Sequence, residues 1–174
     1  MITLSDTDAV IRILIALGVG ASIGIEREWR NKSAGFRTYA LVCEGAALFM
    51  ITSILLHNLV RESGAIASDP SRIASTVVQG IGFIAAGVIF AAGTRVHGLT
   101  TAAGIWVTAA IGLLIGAGFF TVAIVAAGTT IATLGLARYI EHFIPVSPSS
   151  HQHHHHKHES EDEAHQPPNE IDRT

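Results

Sequence analysis

The chain has 174 residues, 49% of them hydrophobic and only 14% charged, with a formal net charge of −3. Soluble domains carry about 25% charged residues, so this composition excludes an ordinary water-soluble domain. The balance is mildly acidic and no basic stripe offsets it, which excludes a nucleic-acid partner.

The charges are also unevenly placed. About half of the acids and most of the histidines lie at or beyond Glu141, so residues 9–140 are more apolar than the average suggests. The single cysteine, Cys43, sits in an apolar run and offers neither a disulfide nor a cysteine-ligated zinc site within one chain. Asp6 and Asp8 stand near the N-terminus in place of a basic patch, so no cleavable signal peptide is expected.

Five runs approach the roughly 20 residues that a helix needs to cross a bilayer. They cover 9–25, 39–57, 73–92, 101–117 and 119–140, and Gly116 and Gly118 make a tight join between the last two. None alternates with period two, as barrel strands do. Five such helices leave no polar outer face for water. The expectation is an all-α membrane protein of about five transmembrane helices, a membrane domain over 1–145, and a separate tail over 146–174.

Orientation follows from the basic residues. The first loop carries Arg27, Arg30, Lys32 and Arg37; Arg95 and Arg138 fall on the same side, whereas the loop with Arg61 and Arg72 is longer and also acidic. By the positive-inside rule the first loop is cytoplasmic, with the N-terminus outside and the C-terminus inside.

Glycines recur at helix-contact spacing. Gly20 and Gly24 form one small-x-x-x-small pair, Gly112 and Gly116 another, and Gly80, Gly82 and Gly87 cluster in the third span. In lipid such faces meet other helices. Packing within one bundle is the first expectation, with a homo-oligomer contact or a transport path as alternatives. Residues 80–85 also fit the G-x-G-x-x-A form of the dinucleotide fingerprint. That fingerprint needs a preceding strand and an acid about 20 positions on, and Gly98 to Thr101 stand there instead. No P-loop, H-E-x-x-H or nucleophile elbow occurs, so neither an enzyme nor a required cofactor is expected.

Four blocks, taken together, are similar to the MgtC/SapB family: GxxIGxEREW, AGFRTYALV, VVQGIGFIAAGVI and GLTTAAGIWVTAAIG, covering about residues 18–116 in the family's order. The resemblance implies a bacterial inner-membrane module of about five spans. It implies a link to magnesium homeostasis, to acid or phosphate stress, and in pathogens to virulence through survival inside macrophages. Family members are often labelled magnesium transporters, while some regulate other membrane proteins, including ATP synthase. Three departures stand out. Many relatives carry a cytoplasmic ligand-binding-like domain where this chain has a short tail; Glu44 replaces a small or apolar residue; and Ala85 replaces a glycine.

Polar residues inside spans carry the functional expectation. Glu44 lies seven residues past Arg37, about 10 Å into the membrane at 1.5 Å per residue. A charge near the helix centre costs at least about 2.5 kcal/mol, so Glu44 should face the bundle and find a partner or a proton. Arg37, Gln79, Thr100 and Thr101 are the candidates, and the result is either a packed polar contact or part of an ion or proton path. In the first loop Glu26 and Arg30 are spaced i, i+4, Trp29 suits an interface anchor, and Arg27, Arg30 and Lys32 could rest on anionic headgroups. Arg37 and Thr38 open the second helix, where Arg37 is expected to pair with Glu26 as a structural clamp or as part of a gate or ligand site.

The tail, rich in Pro, Ser and charge, is expected to be disordered. His151, His153, His154, His155, His156 and His158 could hold a divalent metal through neutral imidazoles, favouring transition metals over magnesium. The functional expectation is therefore a membrane protein acting through other membrane proteins. The alternative is a divalent cation permease with Glu44 and Gln79 on the path.

Overall fold

The computed structural model describes residues 4–63, 69 and 71–143. Within them the chain forms α1 (Asp6–Trp29), α2 (Phe36–Glu62), α3 (Ser71–Ala86), β1 (Phe90–Ala92), β2 (Arg95–His97), α4 (Leu99–Ala117) and α5 (Phe120–Phe143). Continuous apolar sequence becomes helix here because lipid offers no partner to an unpaired backbone group. Three helices, α1, α2 and α4, are long and apolar enough to cross a membrane; Arg72–Ala86 and Phe120–Leu136 are shorter apolar helices. Large apolar side chains such as Leu14, Leu41, Phe83 and Ile124 stand exposed over the outside. That apolar exterior suits a bilayer and would be a liability in water.

Helix ends are set by specific groups. Ser5 caps α1, its hydroxyl accepting from the Asp8 N–H at 3.1 Å, with Asp6 and Asp8 at the positive end of the helix. Asn31, at φ 51°, closes α1 in the left-handed region that asparagine tolerates better than most residues. Gly118, at φ 91°, ends α4, and the Phe119 N–H bonds back to the Leu114 carbonyl. This is the glycine-terminated stop expected of a tight helix hairpin.

The helices run alternately up and down, and small residues set how closely they approach. A methyl group on Gly20 would lie 2.5 Å from the Tyr39 carbonyl, and one on Gly24 would lie 2.7 Å from the Phe36 Cα. On the other side of α2, Gly112 abuts the Cys43 carbonyl and Gly116 leaves only 2.6 Å to the Ala47 carbonyl. The α2 backbone is thus clasped between α1 and α4, with Ala16, Ile23, Cys43, Ala47, Ile105, Ile111 and Ile115 filling the core. Helix α3 lies against α4 through Ile81 and Ala85.

Two expectations are corrected. The third span does not continue as helix to residue 92. It stops at Ala86, and Phe90–Ala92 pairs with Arg95–His97 in an antiparallel hairpin, Phe90 opposite His97 and Ala92 opposite Arg95. Gly93, at φ 62°, supplies the turn, and the Phe90 and His97 rings stack at 5.4 Å. Backbone of this kind, exposed along both strands, belongs outside the hydrocarbon. The glycines of the third span also differ from expectation. A methyl group on Gly80 or Gly82 would meet nothing within 4 Å, and one on Gly87 would touch only carbonyls of its own turn.

Candidate functional site

The end of α1, the α1–α2 turn, the hairpin and the start of α4 converge on one end of the bundle. Arg27 sits at the centre of this convergence, only 2% exposed. Its Nε donates to Glu26 Oε2 at 2.6 Å and its Nη2 to Glu26 Oε1 at 2.9 Å, a bidentate pair. Nη2 also donates to the Leu134 carbonyl of α5 at 3.2 Å. Arg30 closes on the same Glu26 carboxylate one helical turn along. A planar guanidinium fork suits a carboxylate in this way, and burial removes the competing water.

This arrangement corrects the expected Glu26–Arg37 pair. Glu26 is already held by Arg27 and Arg30, and Arg37 belongs to a different cleft from theirs. Arg37 and Thr38 line that open cleft, of about 800 Å³, together with Glu28, Trp29 and Lys32. Glu28 plays a different part, its Oε2 accepting the Phe36 N–H at 2.9 Å. The N-cap of α2 is Gly35, which has no side chain to do this, so a residue of α1 caps α2 instead. A methyl group on Gly35 would press on that carboxylate at 2.8 Å.

Thr100 and Thr101 border a second cleft of about 760 Å³, with Arg27, Arg30, Lys32 and His97 also on its wall. Thr101 is buried, and its carbonyl accepts the Tyr39 hydroxyl at 3.3 Å. The Tyr39 hydroxyl rests on Gly104, and Thr108 donates to the Gly104 carbonyl at 2.8 Å. Glu44 stands apart from all of these. It is half-buried on α2 and, among the described residues, makes no hydrogen bond or ion pair, so the contacts expected with Arg37, Gln79, Thr100 or Thr101 are not formed. Gln79 is exposed on α3. The histidines of the tail lie outside the described residues.

Three working residues carried weak signals in the sequence. Glu28 looked like one more charge in EREWR, and Tyr39 like the first apolar residue of a span. Arg12 was a lone charge in the first run. Its Nη1 donates to the Gly116 carbonyl at 2.7 Å and its guanidinium lies 6.0 Å from the Phe120 ring, so it caps the end of α4 at the opposite end of the bundle. A single basic residue inside an apolar run was the one clue available.

These features define a multi-spanning α-helical membrane protein with a charged clamp at one end and a glycine-clasped central helix. The chain belongs to the MgtC family, whose model matches residues 13–143. It is 46% identical over 125 residues to an Escherichia coli protein named "Putative magnesium transporter YhiD", covering 72% of this chain and 58% of that one. Over 117 residues it is 44% identical to Protein MgtC of Salmonella typhimurium, covering 67% of this chain and 47% of that one. A Synechocystis protein, slr0014, is 41% identical over 139 residues, covering 78% of this chain and 56% of its own length. The chain spans about half the length of the curated relatives it matches. No solved structure matches it.

Proposed function

We propose that this chain is a non-enzymatic protein of the bacterial inner membrane that serves magnesium homeostasis and stress adaptation by docking other membrane proteins. The magnesium link is supported by the family and by the name of the Escherichia coli relative. Orientation with the N-terminus outside is supported by the basic α1–α2 turn and Arg95 sharing one end of the bundle, with Asp6 and Asp8 at the other. The reading requires no cofactor.

The observation that carries the docking role is the outer face of α3. Gly80 stands open there, on the wall of an apolar groove of about 510 Å³ between α2 and α3 lined by Leu41, Phe49, Val77 and Ile84 among others. Helices in lipid associate by close approach at such small residues, because the hydrophobic effect gives them no drive to do so. A photo-crosslinking amino acid at Gly80 or Phe83 in living cells is expected to yield an adduct with a different membrane protein. Adducts with lipid alone, or only between copies of this chain, would contradict the docking role.

A second reading, a divalent cation permease, is favoured by Glu44. An unpartnered carboxylate inside a span is costly, and such residues mark ion and proton pathways. Its oxygens are also the donor type that magnesium prefers.

A further inference from the structure

The cleft between the α1–α2 turn and the entrance of α4 carries Arg27, Arg30 and Lys32 on its wall and no aspartate or glutamate. Glu26 pairs with both guanidiniums, so three cations stand against one carboxylate and the cleft keeps an excess of positive charge. The Lys32 side chain makes no ion pair among the described residues.

Arg27 is the informative member. Its Nε and Nη2 are engaged by Glu26 and Leu134, whereas its Nη1 makes no hydrogen bond among the described residues. None of the sealed side-chain nitrogens or oxygens among those residues lacks a partner, so Nη1 must open onto accessible space, and the cleft is what Arg27 lines. A nine-tenths buried guanidinium with vacant donors, beside an unpaired ammonium, calls for an acceptor-rich anion. Asn31, Ser33 and Thr100 add neutral polar groups to the wall. The exposed apolar side chains of Phe90, Val96 and Leu99 flank it, at the level where an interfacial hairpin meets the bilayer.

We propose that this cleft is a binding site for a phosphate group, with Arg27 Nη1, Arg30 and Lys32 donating to its oxygens. Guanidinium forks match phosphate oxygens, and basic pockets at the ends of spans take lipid headgroups. The phosphate could arrive on an anionic phospholipid or as free inorganic phosphate, and one titration separates the two.

The test uses the full chain in a neutral, phosphate-free detergent at constant ionic strength. Dioctanoyl phosphatidylglycerol, inorganic phosphate and dioctanoylglycerol, which lacks phosphate, are titrated separately while the unfolding midpoint is followed. Phosphatidylglycerol is expected to raise the midpoint and dioctanoylglycerol to leave it unchanged. Lys32→Gln, which breaks no ion pair, should weaken the effect roughly tenfold, as loss of one charged hydrogen bond implies. Arg61→Gln, at the far end of α2, should not. Stabilisation by the lipid alone assigns the site to a headgroup; stabilisation by inorganic phosphate, with or without the lipid, assigns it to the free anion. If neither stabilises, or if Lys32→Gln and Arg61→Gln bind equally well, the proposal is overturned.

Discussion

Arg27 Nη2 donates to the Leu134 carbonyl at 3.2 Å, across 107 positions of sequence, while the same guanidinium grips both oxygens of Glu26. One buried side chain thereby joins the end of α1 to α5. Arg27 is 2% exposed, so its guanidinium depends on the Glu26 side chain for compensation.

Glu26→Ala is expected to cost about 3–5 kcal/mol, because it leaves Arg27 buried and uncompensated. Replacing both residues with apolar ones of similar size, Glu26→Leu with Arg27→Met, should recover most of that loss. Unfolding midpoints in detergent measure both. A double variant no more stable than the single would show that the pair is not the source of the effect.

Glu28→Ala removes the cap of a helix that has none of its own, at a cost of about 1 kcal/mol. Glu28→Gln keeps an acceptor oxygen and should lose less. Hydrogen exchange reads this locally: the Phe36 N–H should exchange faster in Glu28→Ala, while amides in the middle of α4 stay as they were.

Gly112→Ala and Gly20→Ala place a methyl group against α2 backbone, which cannot yield as a side-chain tip can. A cost of about 1–3 kcal/mol is expected for each. Gly80→Ala and Gly82→Ala meet open space and should leave the stability of the isolated chain unchanged. The contrast is the measurement, made on all four variants in one detergent; equal losses at Gly80 and Gly112 would contradict the packing described above.

Much of this architecture was legible because lipid imposes long, continuous apolar helices, and because close helix approach leaves a spacing of small residues, as at Gly20/Gly24 and Gly112/Gly116. The hairpin was not. Phe90, Ala91 and Ala92 are as apolar as the helix before them, and only the pairing with Arg95–His97 ends α3 at Ala86. Within EREWR the charges were readable but their division of labour was not, since burial of Arg27 depends on α5 and the capping role of Glu28 depends on where α2 begins. Gly80 and Gly82, two residues apart where the clasped pairs are four apart, meet nothing within 4 Å, so a glycine-rich run alone does not say which of its glycines touch a helix of the same chain.

Under the proposed function the chain acts through partners and does not itself carry magnesium. Magnesium uptake into proteoliposomes containing the purified full chain tests it most directly. Uptake no faster than in protein-free vesicles is expected, with no difference between the wild-type chain and Glu44→Gln. Saturable uptake by the wild-type chain that Glu44→Gln abolishes would contradict it and establish the permease.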